Sequence, residues 1–281
     1  MLRFSFPMLV WCGITLVAAA QESPDKEAAR EARLKAMQQI AGRFKVQAGE
    51  GAERKDVPLL EAPLLRFNDP ARDFHDATIW GWGEEGRPLC LLTVEQYGER
   101  SWFECISLAA DPFAAEAETL RWSPKAAGVE LQPYPDAPAV ADKAPRRLIQ
   151  MKELLGELRA YEVGHDGSRY ELRLMPKQLH RYDNAEAGLV DGAIFAFAYG
   201  TNPELLALIE ARLPAEAAPT ADKLTADKPA AAQWQVGFAR CGTAEPHVLL
   251  AEKEIFTLPY ARGTKPGDAY WNFSYQFKKA E

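Results

Sequence analysis

Leu64-Leu65-Arg66-Phe67-Asn68-Asp69, continuing to Glu95, and Leu179-His180-Arg181-Tyr182-Asp183-Asn184, continuing to Glu210, decide the reading of this chain, because the second stretch lies on the first with a constant shift of 115. Arg66-Phe67 falls on Arg181-Tyr182, Asp69 on Asn184, Asp76 on Asp191, Ile79-Trp80 on Ile194-Phe195, Trp82 on Phe197 and Glu95 on Glu210. Self-similarity at one spacing is the signature of repeated architecture. Upstream, Leu34, Met37, Ile40, Ala41 and Phe44 fall on Leu148, Met151, Leu154, Leu155 and Leu158 with a shift of 114. Their i, i+3, i+6, i+7, i+10 spacing lines one face of an amphipathic helix. The first helix is expected to start with Ser23 as N-cap and Pro24 at the first helical position, the second near Ala144-Pro145.

After the second helix, Leu158 to Val163 and Ser168 to Met175 flank Gly164-His165-Asp166-Gly167, a hairpin signature. Glu204 to Glu210 has good helix formers throughout, but its counterpart Leu89 to Glu95 follows a Gly-Arg-Pro turn and reads as a strand. Both are therefore assigned as strands. The expected fold is α+β: two tandem homologous modules, each an amphipathic helix followed by an antiparallel β-meander, packed through their sheets. The expected boundaries are 21–132 and 146–281, with a Pro/Ala-rich linker at 133–145 and a disordered insertion at 214–232, a lengthening that costs little closure entropy.

Ahead of the first module, Arg3, a mostly apolar run from Phe4 to Val17 and Ala18-Ala19-Ala20 make a secretory signal peptide, with cleavage expected after Ala20 and a soluble mature chain. The chain carries 33 basic and 40 acidic residues, a net charge of −7, which loss of Arg3 makes more negative. That balance, without a basic face, argues against nucleic acid as a partner. Of four cysteines, Cys90, Cys105 and Cys241 survive cleavage, which allows one internal bridge and one free thiol.

Through the aligned residues, and through Asp191-Gly192-Ala193, Gly200-Thr201-Asn202-Pro203-Glu204 and Ile209-Glu210-Ala211-Arg212, the chain resembles an uncharacterised family of secreted planctomycete-type bacterial proteins. The first copy departs with Ala77 where glycine is expected. The resemblance implies export and a common fold, and brings no activity with it.

Arg66 with Asp76 and Arg181 with Asp191 recur at one internal spacing. A guanidinium grips a carboxylate through two parallel hydrogen bonds, so each pair is read as a structural pin, with ligand binding and catalysis as alternatives; the same weighing covers Glu95 and Glu210. The loop from Asn68 to Asp76 gathers Asp69, Asp73, Asp76 and His75, a solvated turn or a seat for an acid and base. Cys90 and Cys105 stand opposite each other if the hairpin turns at Tyr97-Gly98, permitting a disulfide, and are separated if it turns at Gly98-Glu99. Trp80 and Trp82 share a strand face, as do Phe195 and Phe197; they are core, or a platform for a sugar or peptide if exposed. Small Gly81 and Ala196 on the opposite face are expected to admit a helix there.

No His-Glu-x-x-His, Cys-x-x-Cys, nucleophile elbow or phosphate loop occurs, so neither metal nor cofactor is expected. The favoured reading is a non-catalytic exported protein that binds or scaffolds an envelope protein or polysaccharide. One alternative is a hydrolase in the crevice between repeats using Asp69, Asp73 or Asp76 with His75; another is a wall-carbohydrate-binding module that needs Trp80, Trp82 or Trp102 exposed. Symmetry separates them: a scaffold treats both copies alike, whereas a catalyst concentrates polar groups at one.

Overall fold

The computed structural model describes residues 24–69, 74–97, 100–214 and 231–278. The expected signal peptide, Ser23 and most of the 214–232 insertion lie outside them. Among the described residues helix α1 (Pro24–Ala41) comes first and is followed by β1 (Lys45–Ala48), β2 (Lys55–Val57), β3 (Leu65–Asp69), β4 (Phe74–Trp82), β5 (Cys90–Tyr97), β6 (Arg100–Ser107), β7 (Phe113–Ala117), β8 (Leu120–Trp122) and β9 (Gln132–Pro133). Helix α2 (Ala144–Gly156) opens the second half. Its strands are β10 (Leu158–Val163), β11 (Arg169–Leu174), β12 (His180–Asn184), β13 (Leu189–Tyr199), β14 (Asn202–Arg212), β15 (Gln233–Arg240), β16 (Glu245–Leu250), β17 (Lys253–Thr257) and β18 (Tyr270–Tyr275).

This corrects the α+β expectation. Strands make up 47% of the structure and helices 14%, and the helices pack against curled sheets rather than heading discrete helix-plus-meander modules. Segments without a strand signal in the sequence, such as Lys45–Ala48 and Phe113–Ala117, are short strands that pair with each other. Strands this short carry too little periodicity to declare themselves. In the second half they join the meander in one sheet of order β17-β16-β10-β11-β13-β14-β15-β9, a curled half-barrel, with β12 paired to β13. In the first half they stay apart, as β2-β1-β7-β8 and β18-β6-β5-β4-β3.

The pairing scheme of β1 to β8 recurs in β10 to β17, and the registers agree with the shift of 115: Phe67 opposes Ala77 and Tyr182 opposes Gly192, while Ala77 opposes Glu95 and Gly192 opposes Glu210. The last strand of each half crosses over. β9 pairs with β15 of the second half, and β18 pairs with β6 of the first along Tyr270↔Ile106 to Tyr275↔Ser101. Neither half has a complete sheet alone. The expected linker is also packed: Tyr134 is buried, and its hydroxyl donates to Leu154 O at 2.7 Å.

Three apolar cores follow. Met37, Ala41, Trp80 and Trp82 share one beneath α1, and Met151, Leu155, Phe195 and Phe197 share another beneath α2. The aromatic face therefore meets the helix, the reverse of the expected arrangement. The opposite face, with Ile79, Leu91, Ile194, Ala196 and Leu206, forms a third core shared by the two halves. Gly81 is small because a Cβ there would stand 3.1–3.3 Å from Leu60, Leu91 and Leu64 methyls.

Candidate ligand-binding cleft

The Arg–Asp pairs are helix-to-sheet clamps. Arg66 Nε and Nη2 donate to Asp76 Oδ1 and Oδ2 at 2.8 and 2.6 Å, and Arg181 does the same to Asp191 at 2.9 and 2.6 Å. Each carboxylate also takes a helix arginine, Arg33 Nε at 3.0 Å and Arg147 Nε at 2.7 Å. Arg66 and Arg181 donate in turn to the helix carbonyls of Arg30 and Ala144. Sequence reasoning found the pair and missed the third arm, although Arg33 and Arg147 are related by the same shift of 114 as the helix faces.

Asp76 is thus buried inside a clamp. Asp69 is buried at the end of β3, Asp73 falls outside the described residues, and His75 lies in β4. Trp80 and Trp82 are 1% and 2% exposed, which ends the platform reading for them, whereas Trp102 is 41% exposed. Cys90, Cys105 and Cys241 are free thiols. Tyr97 pairs with Arg100, so Cys105 faces Leu92 while Cys90 faces Ser107, and the disulfide is not formed. Burial pushes all three thiols up, away from the reactive thiolate.

The two ends of the interface between the halves differ in chemistry. At one, Glu210 is fully buried and accepts from the Tyr182 hydroxyl at 2.8 Å and Arg212 Nε at 2.5 Å, with Arg87 Nε of the other half at 3.7 Å. Two residues along β15 from its ladder partner Gln235 is Gly237, where a Cβ would stand 2.6 Å from Val129. At the other end the equivalent ladder positions hold Glu95 for Glu210, Phe67 for Tyr182 and Glu104 for Gly237, with Asn202 and Glu204 at the positions of Arg87 and Leu89. Here the strand β18 brings Tyr270, whose hydroxyl donates to Glu104 Oε1.

This second end opens into a cleft of about 830 Å³, within the usual range of small-molecule sites, roughly 300–1,000 Å³. Its floor is Glu95, Glu104, Glu162 and Glu204, all buried at under 9% exposure, and its rim carries Trp102 from β6 and Tyr170 and Tyr199 from β11 and β13. Tyr170 and Tyr199 meet edge to face at 5.0 Å. The Gly164–Gly167 turn adds His165 and Asp166, whose carboxylate is held below the usual range by Ser168 N–H and hydroxyl donors. Asn202 Nδ2 donates to Glu204 Oε1 at 2.8 Å, and a Cβ on Gly242 would stand 2.3 Å from Glu204 Oε2, so glycine there is what admits the carboxylate.

Glu104 is pushed well above the usual carboxylate range, first by burial and then by the negative charge of Glu95; the Tyr270 hydroxyl pulls the other way. Burial and Glu104 also raise the Tyr270 phenol. Among the described residues no group of three or more His, Cys, Asp or Glu could hold a metal ion, and no helix is long and apolar enough to cross a membrane. Glu104, Glu162, Glu204 and Tyr270 were not foreseen from sequence. The available signal was a charged residue on a strand face otherwise apolar, as Glu104 beside Ile106.

Comparison with protein-family models, with curated proteins and with solved structures gave no match.

Proposed function

We propose that this chain is an exported protein that binds a saccharide in the cleft between its two halves. The observation that carries the reading is the one-sidedness of the interface: one end is filled by the ion pairs of Glu210, while the equivalent end is a cleft with aromatic rings from both halves at its rim and carboxylates on its floor. A sugar presents C–H faces that stack on such rings, and hydroxyls that donate to carboxylates and bond to an amide. Export rests on the N-terminal signal, and the family resemblance points the same way. The recurring strand pairings support descent of the two halves from a tandem duplication, after which one end kept a structural role and the other diverged.

The test is a fluorescence and calorimetric titration of the mature chain with neutral and N-acetylated hexose oligosaccharides. Saturable binding is expected, weakened about tenfold or more in Trp102→Ala, which corresponds to roughly 1.4 kcal/mol. Absence of binding across the panel, or unchanged affinity in Trp102→Ala, contradicts the reading.

A further inference from the structure

We propose that a second pocket, beside the cleft, binds a carboxylate group, with Arg240 as its charge partner and Ser107 as a hydroxyl donor. The pocket has a volume of about 310 Å³ and lies between the halves: Ser107 and Gly128 come from the first, and Arg240, Tyr260 and Tyr270 from the second. Ser107 and Arg240 occupy equivalent ladder positions. One stands opposite Cys90 and the other opposite Leu205, which the shift of 115 relates. The same position therefore brings a long cation from one half and a small hydroxyl from the other to one pocket.

Two independent observations point to an anion. Arg240 is 7% exposed, yet among the described residues no carboxylate forms an ion pair with it. Its Nη2 donates to the Pro259 carbonyl, and its guanidinium stands 5.7 Å from the centre of the Tyr270 ring. Both contacts ease the burial of a cation without neutralising it. Burial lowers the pKa of Arg240, against the weaker opposing pull of Tyr270 and Glu245, and Glu245 Oε1 itself faces His247 Nε2 at 3.5 Å. A buried charge left unpaired is costly, and a carboxylate relieves that cost because it meets a guanidinium through paired hydrogen bonds.

Ser107 supplies the second observation. It is 2% exposed, and its Oγ is buried with no hydrogen-bond partner, although its backbone N–H donates to Ala269 O at 2.8 Å. Gly128 packs against this hydroxyl, since a Cβ there would stand 2.6 Å from Oγ. Buried hydroxyls as a rule have a partner, and a carboxylate oxygen in the pocket provides one.

The wall sets the charge of the ligand. Asp268 also lines the pocket, with Oδ2 accepting from the Lys265 N–H at 2.7 Å, and Arg262 lies 5.3 Å from the Tyr260 ring centre. Arg240 and Arg262 against Asp268 leave one positive charge in balance, which a monoanion neutralises and a phosphate dianion exceeds. The carboxylate belongs either to a uronic acid unit of a saccharide in the cleft, which shares the Tyr260 wall with this pocket, or to a free small carboxylic acid. The first source rests on the saccharide reading of the cleft; the second does not.

The experiment is a calorimetric titration of the mature chain with sodium glucuronate, cellobiouronic acid, cellobiose and inorganic phosphate. Cellobiouronic acid and cellobiose differ only by a carboxylate in place of a hydroxymethyl group. Saturable binding of a carboxylate probe is expected, weakened about tenfold or more in Arg240→Gln and about threefold or more in Ser107→Ala, which changes no charge and little volume. Melting temperature checks that both variants are folded. Cellobiouronic acid bound more tightly than both glucuronate and cellobiose assigns the carboxylate to a saccharide that spans pocket and cleft. Glucuronate bound as tightly as cellobiouronic acid, with the same loss in Arg240→Gln, assigns it to a free acid. Cellobiose bound as tightly as cellobiouronic acid overturns the carboxylate pocket and leaves the saccharide reading intact. Absence of binding by every carboxylate probe, unchanged affinity in Arg240→Gln, or phosphate bound more tightly than any carboxylate also overturns the proposal.

Discussion

At one end of the interface between the halves, Glu210 is surrounded by Tyr182, Arg212 and Arg87; at the other, the ladder-equivalent Glu95 shares a cleft with Glu104, Glu204 and Asn202. The same strand pairings occur at both ends, down to the bulge that separates Phe67 from Asp69 and Tyr182 from Asn184. The difference lies in a handful of side chains. Arginine at position 87 pairs with a buried carboxylate at 3.7 Å, whereas asparagine at 202 donates to a carboxylate on its own strand. Glycine at 237 closes against Val129, whereas Glu104 needs the Tyr270 hydroxyl. One end is therefore closed by ion pairs and the other is an open cleft lined by carboxylates.

The largest effect is expected at the filled end. Glu210→Ala leaves the half-buried Arg87 and Arg212 without their carboxylate and empties a fully buried side chain, a loss of about 3 kcal/mol. The melting temperature should fall by roughly 10 °C or more. A fall of less than about 2 °C would mean that the cluster is solvated and the contrast between the ends is false.

At the open end the effect is stabilising and grows with pH. Folded Glu104 has a raised pKa, so the folded chain holds this proton more tightly than the unfolded one. Its stabilisation is complete below the ordinary glutamate range, about pH 4.3, and is lost as pH rises through the folded value. Glu104→Gln should therefore match wild type near pH 4 and melt higher by about 3 °C at pH 7.5. Equal differences at both pH values would show that Glu104 is not held protonated.

Individual elements were legible in the sequence, although the α+β module architecture drawn from them was not the fold. The helix faces, the Gly164–Gly167 hairpin and the strands from Leu89 and Glu204 announced themselves by periodicity or by the shift of 115, and the Arg–Asp clamps by recurrence. What could not be read was non-local. The exchange of β9 and β18 pairs residues more than a hundred positions apart or crosses the expected module boundary, and no local pattern encodes it. The cleft is likewise assembled from β5, β6, β10, β14 and β18, whereas the sequence pointed to the contiguous loop around Asp69, Asp73, Asp76 and His75. Contiguous carboxylates attract notice; here Asp76 belongs to a clamp, and the converging carboxylates come from separate strands.

The most direct test of the contrast between the ends is an amide NMR titration of the mature chain with the tightest-binding oligosaccharide of the panel. Shifts concentrated at Trp102, Glu104, Asn202, Gly242 and Tyr270, with Arg87, Tyr182 and Glu210 unmoved, are the predicted result. Shifts at the Glu210 end, or spread evenly over both ends, would contradict the account.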